Sequence, residues 1–251
     1  MSALSIPAAT AATYERAATS QNLAAQSEWR PLYRIGGIAA LAILAFVPVQ
    51  MAVFFIWPVP TSVSDWFALF QTNGIVGLVD MDLLLIVDYV LTGLVFLALY
   101  VLLRRHSVSF MTIALVAEIV AIATYFASTV AFEMLALSGR YAAASTDIER
   151  SALLAAGEVM IASWQGTAFV VSYILAGVAA LTVSVVMLRS GVFGRVAGFA
   201  GITMGVAGLV PPTLGTVGLT LSIVSLVPMV VWLFLIGRTL LRQPEGTASE
   251  V

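Results

Sequence analysis

From Val196 to Gly237 the chain carries no charged residue. Apolar stretches of this length recur along the sequence, and they constrain the fold more than any other feature. Of its 251 residues 61% are hydrophobic and 10% charged, with a mean hydropathy of +1.05. Soluble domains carry about a quarter charged residues. A chain of this size has no core large enough to absorb so much apolar surface, so the solvent of its helices is lipid.

A membrane-crossing helix needs roughly 20 apolar residues. Six segments meet that need: Ile35–Trp57, Leu83–Leu103, Phe110–Thr129, Ala168–Met187, Val192–Val210 and Val217–Gly237. Pro211 and Pro212 divide the long uncharged stretch into its two spans, because consecutive prolines cannot continue a helix. Pro48 and Pro228 are expected to kink the first and sixth spans.

Arginine supplies every basic residue; there is no lysine. With the amino terminus inside, the cytoplasmic side holds Arg16, Arg30, Arg34, Arg104, Arg105, Arg189, Arg195, Arg238 and Arg242. Arg140 and Arg150 alone fall outside. Basic residues concentrate on the cytoplasmic side of membrane proteins, so the sequence predicts an all-α bundle of six transmembrane helices with both termini cytoplasmic. The expected compartment is a bacterial plasma membrane.

Residues 1–30 are rich in Ala, Ser and Thr and lack the apolar core of a signal peptide. They read as a disordered or loosely helical cytoplasmic tail, with membrane docking as the alternative. The transmembrane domain is expected over 31–243, with a short cytoplasmic tail at 244–251. Between the first two spans, "PVPTSVSDWFALFQTNG" predicts a loop with a short interfacial helix anchored by Trp66 and Phe67. The third and fourth spans continue past the bilayer and form a hairpin around "SGRYAAASTDIER".

The absence of cysteine excludes disulfides and thiolate sites. A single histidine, His106, excludes bis-histidine haem and leaves no histidine-based metal cluster. No cofactor is expected. His106 reads as an interfacial residue beside Arg104 and Arg105. The net charge of −2 gives no sign of a nucleic-acid partner. Expected partners are membrane lipids, with a partner membrane protein or a second copy of the chain as further options.

The carboxyls inside the spans are the main functional signal. At 1.5 Å per residue, Asp88 lies roughly 24 Å from Arg104, about one turn inside the outer edge. Glu118 lies roughly 16 Å from Ser107, near the midplane. An ionised carboxylate in hydrocarbon costs several kcal/mol. Glu118 is therefore expected either as a neutral acid donating a hydrogen bond or in a wet cavity. Tyr125 matches Asp88 in depth, and Glu118, Tyr125 and Thr129 fall on one helical stripe. Gln50 adds a polar group at outer depth in the first span. Asp88, Glu118, Tyr125, Thr129 and Gln50 thus define a candidate polar pocket opening outward, with Glu118 at its floor. The alternative is that both carboxyls are hydrogen-bonded between helices and hold no ligand. Asp80 and Asp82 read as a solvated helix start, with Asp80 on the same helical face as Asp88. Gly198, Gly201, Gly205 and Gly208 share a face of the fifth span, as small residues do where helices approach closely.

Four segments carry a resemblance: "RIGGIAALAIL", "LALYVLLRRHS", "MLRSGVFGRVAGFAGI" and "VWLFLIGRTLLR". Their order and spacing resemble the bacterial six-span family catalogued as domain of unknown function 4386, over roughly residues 32–242. The resemblance implies a six-span fold and supplies no catalytic residues. It aligns a family glutamate with Glu118, while Leu115 stands where members often carry an arginine. Function then divides three ways. The first is a non-enzymatic accessory, lipid-binding or partner-binding module. The second is a small permease or proton-coupled carrier using Glu118 and Asp88. The third is an intramembrane enzyme, disfavoured because no nucleophile–base pair or metal cluster is visible.

Overall fold

The computed structural model describes residues 28–243. Of the expected tails, residues 1–27 and 244–251 lie outside the described residues, and 28–30 lead into the first helix. Ten helices and no strand are found among the described residues. They are α1 (Arg30–Ile56), α2 (Val63–Thr72), α3 (Gly74–Asp80), α4 (Leu83–Leu103), α5 (Val108–Ser128), α6 (Ala131–Ala143), α7 (Asp147–Trp164), α8 (Thr167–Ser190), α9 (Gly194–Ala207) and α10 (Gly215–Leu241).

Five helical runs are long and apolar enough to cross a membrane: Arg30–Ile56, Leu83–Leu103, Val108–Ala143, Asp147–Ser190 and Gly215–Leu241. The fifth expected span, Val192–Val210, is shorter than its hydropathy suggests. α9 has 14 residues, roughly 21 Å of helix against a hydrocarbon core of about 30 Å. It stops where the two prolines approach, and Gly208 to Leu214 continue as turns. There the carbonyl of Pro211 packs against Gly218 of α10 so closely that a Cβ would collide with it. Irregular backbone at this depth is tolerated where protein covers it.

Helices α1, α4, α5, α8, α9 and α10 form a closed ring. Gly36 of α1 meets Ala98 of α4, and Gly37 meets Leu241 of α10. Tyr89 of α4 stacks on Tyr125 of α5, ring centroids 3.9 Å apart. α5 presents Met111, Ala114, Glu118, Ala121, Tyr125 and Ser128 as its buried stripe, at alternating spacings of three and four that suit a packed seam. The glycine face of α9 closes on α8: Gly205 lies against Leu181, and Gly208 against Gly177. Gly201 sits between Ser184 of α8 and Trp232 of α10. The first turns of α1 and the last turn of α10 meet, so both described ends lie at one end of the bundle. Arg104 over Trp29 and Tyr100, and Arg189 over Phe110, belong to that same end.

The opposite end carries a cap with its own core. Helices α2, α3, α6 and α7 bury Trp66, Phe67, Phe70, Met81 and Met134 together. Trp66 and Phe67, expected as interface anchors, are each 1% exposed and form the centre of this cap. Their neighbours explain the change. Gly157 lets α7 approach Val63 and Phe67, and Gln71 Nε2 donates to the Ser138 carbonyl at 2.6 Å. The hydroxyl of Ser138 donates in turn to the Phe67 carbonyl at 3.1 Å. Thr146 caps α7 by accepting from Glu149 N–H at 3.2 Å, which fixes the tip of the α6–α7 hairpin.

Candidate functional site

The cap-end half of the ring is not filled. Below it, Leu99, Leu103, Met111, Val183, Met187 and Ile236 pack as a continuous core. Above that core lies a cavity of about 250 Å³ lined from all six ring helices. α4 supplies its most polar wall. Leu85, Asp88, Tyr89, Thr92 and Phe96 stand at i, i+3, i+4, i+7 and i+11, the pattern of one helical face. α5 contributes Glu118. Ala176 and Ala180 keep the α8 wall thin, and Phe96 with Trp232 forms the floor, ring centroids 6.3 Å apart. The remaining lining is aliphatic or methionine.

Asp88 and Glu118 therefore border one space. Glu118 is 1% exposed and its Oε1 has no hydrogen-bond partner. Oδ1 of Asp88 is also buried without one. The nearest hydroxyls are engaged elsewhere: Thr92 donates to the Asp88 backbone carbonyl at 2.8 Å, and Tyr89 pairs with Ser172 at 3.3 Å. The indole N–H of Trp232, also without an acceptor, lies beside Gly201 and Ser184, neither of which lines the cavity. Buried polar atoms are normally satisfied, so the two carboxyls concentrate unmet hydrogen-bonding capacity around one apolar space.

The other expected pocket residues do not line the cavity. Tyr125 is buried behind Tyr89, and its hydroxyl approaches Asp82 without a well-formed hydrogen bond. Thr129 is the C-cap of α5, outside the helical stripe, and donates to the Phe126 carbonyl at 2.9 Å. Gln50 is 7% exposed on α1 with neither amide atom partnered.

Asp80 and Asp82 are not solvated, contrary to the sequence expectation. They are 1% and 7% exposed. The chain turns between α3 and α4, with Asp82 in the left-handed region at φ 73°, so Asp80 does not share a helical face with Asp88. Asp82 accepts from the indole N–H of Trp164. Burial pushes its carboxyl up to about 6, against the opposing pull of Trp164 and Tyr125. Burial also raises Asp80 to about 6, and neither of its oxygens has a partner. Asp82, Tyr125, Tyr89 and Glu118 thus form a polar series from the cap to mid-bundle, with Tyr89 within electrostatic range of both carboxyls at its ends. Sequence reading missed Tyr89, Thr92, Phe96 and Trp232. The α4 members were detectable by their spacing from Asp88; Trp232 had no such signal.

Among the described residues, no group of three or more His, Cys, Asp or Glu is placed to hold a metal ion. The five long apolar runs make this a helical, multi-pass membrane protein. No protein-family model, curated protein or solved structure matches the chain.

Proposed function

We propose that this is a six-span, non-enzymatic membrane protein that binds a small, mainly apolar molecule in the cavity between its helices. Both termini would face the cytoplasm of a bacterial cell, as the arginine distribution supports. The affiliation with the six-span family rests on the four quoted segments. The observation that carries the binding reading is the cavity itself: an apolar space of about 250 Å³ with a carboxyl oxygen of each of Asp88 and Glu118 left unpaired along it. Apolar cavities with a few convergent polar groups are the usual form of small-molecule sites.

A second reading, a proton-coupled carrier, draws on the Asp82–Tyr125–Tyr89–Glu118 series, which links the cap to the cavity. Ionisable groups inside membranes commonly mark proton or ion paths.

Native mass spectrometry in polymer nanodiscs tests the binding reading. The wild-type protein should retain a discrete small molecule that bulk lipid does not explain. Ala176→Phe, which places a ring in the cavity, should lose that mass while remaining monodisperse. A wild-type protein that carries nothing beyond lipid, even after incubation with a membrane extract, would defeat the proposal.

A further inference from the structure

We infer that the cavity selects lipophilic amines, with a ligand ammonium seated at Asp88 and Glu118 and its hydrocarbon body along Phe96, Met229 and Trp232. The inference rests on the binding reading above and names the ligand class of that same cavity.

Charge is the first argument. Two carboxyls line the space and no basic side chain does. None is within reach elsewhere. The chain has no lysine, and its one histidine, His106, follows α4 at the far end of the bundle. The described arginines lie at that far end or in the α6–α7 hairpin. An anionic ligand finds no counter-charge here. A cation supplies the counter-charge that the protein does not provide, and a buried carboxylate without one is costly.

Hydrogen bonding points the same way. Glu118 Oε1 and Asp88 Oδ1 are buried acceptors without donors, and an ammonium brings three N–H donors and no acceptor. With Tyr89 and Thr92 engaged, a carbonyl-rich ligand would need protonated carboxyls to meet its acceptors. Glu118 is 1% exposed and Oδ1 of Asp88 is buried, so these unmet atoms are features of the interior, not of a wet rim. The aromatic rings at the floor add an apolar surface for the ligand's hydrocarbon body. Small alanines opposite them leave space for a hydrocarbon body.

Three probes with one body and different heads separate the possibilities: 4-phenylbutylamine, 4-phenylbutanol and 4-phenylbutanoate. Calorimetric titration into the full chain in nanodiscs at neutral pH keeps the amine cationic, and empty nanodiscs correct for partition. The amine should bind saturably and at least about tenfold tighter than the alcohol, or roughly 1.4 kcal/mol. The carboxylate should not saturate. Asp88→Asn with Glu118→Gln should bring amine and alcohol to within about twofold of each other, less than roughly 0.5 kcal/mol, while the alcohol's own affinity is kept. If the double variant does not fold, Glu118→Gln alone should cut the preference at least about threefold, near 0.65 kcal/mol. An alcohol as tight as the amine, or a preference untouched in the variants, overturns the amine assignment and leaves the binding reading in place. If no probe binds although the wild type carries a native small molecule, the ligand class is wrong and the binding reading stands. If no probe binds and no native molecule is present, both fall.

Discussion

Asp82 combines three unusual conditions in one residue: a left-handed backbone, near-complete burial and an indole donor from a helix 82 positions away. Asp tolerates the left-handed region better than most side chains do, so the residue fits the turn that its charge complicates. Its carboxyl rises on folding from 3.8 to about 6, mainly through burial. A carboxyl raised by folding stabilises the fold below its unfolded pKa, and that contribution is lost as pH climbs through the folded value. Melting temperature should therefore fall between pH 4 and pH 7. Asp82→Asn keeps an acceptor for Trp164 and removes the titration. It should raise stability at pH 7 by on the order of 1 kcal/mol and leave it unchanged at pH 4. Melting curves at the two pH values check this; equal destabilisation at both would show that the charge, not the acceptor, holds the turn. None of this was legible in "VDMDLLL". Two acids before an apolar run look like a solvated helix start. The indole that overrides that reading enters only at position 164. Asp88 and Glu118 were legible, because a charge inside a span needs no partner to be noticed.

Helices were read from sequence about as well as their lengths allowed. The five long runs follow from hydropathy alone, and the α6–α7 hairpin from spans that outlast the bilayer. α9 was overestimated because hydropathy counts apolar residues and not hydrogen-bonded turns, so Leu209 and Val210 were included although the helix had ended. The cap was missed for a different reason. Trp66 and Phe67 sit on a ten-residue amphipathic helix, which a membrane surface would suit as well as a protein core. Gly157, ninety positions on, decides between them. Close approach also makes the α9 face testable. A Cβ on Gly201 would collide with the Ser184 hydroxyl and with the Trp232 indole. Gly201→Leu should cost about 1–3 kcal/mol through overpacking. Urea or heat melts in the same detergent measure it; a variant with wild-type stability would mean that the α8–α9–α10 junction yields more freely than its spacing implies.

At the scale of the whole chain, the ring closes between its first and last described helices, and its arginines gather at the end of the bundle where those two helices begin and finish. The absence of native cysteine gives orientation a clean assay. A cysteine at Ser145 should react with an impermeant maleimide on intact cells. One at Gln243 should react only after permeabilisation. Reaction at 243 without permeabilisation would invert the proposed orientation. The ring's order was partly legible, since consecutive spans tend to be neighbours. The α1–α10 closure was not, because it joins two segments that nothing between them predicts. The two-part cap bears on something else, the order in which the molecule is made. Synthesis runs from the amino end, so α2 and α3 are completed while α6 and α7 do not yet exist. Phe67 waits 71 residues for Ser138, and Asp82 waits 82 for Trp164. During that interval the aromatic face of α2 lacks its partner helices, and the carboxyl at the head of α4 lacks its indole donor. The second half of the chain thus acts as the template on which the first half is finished.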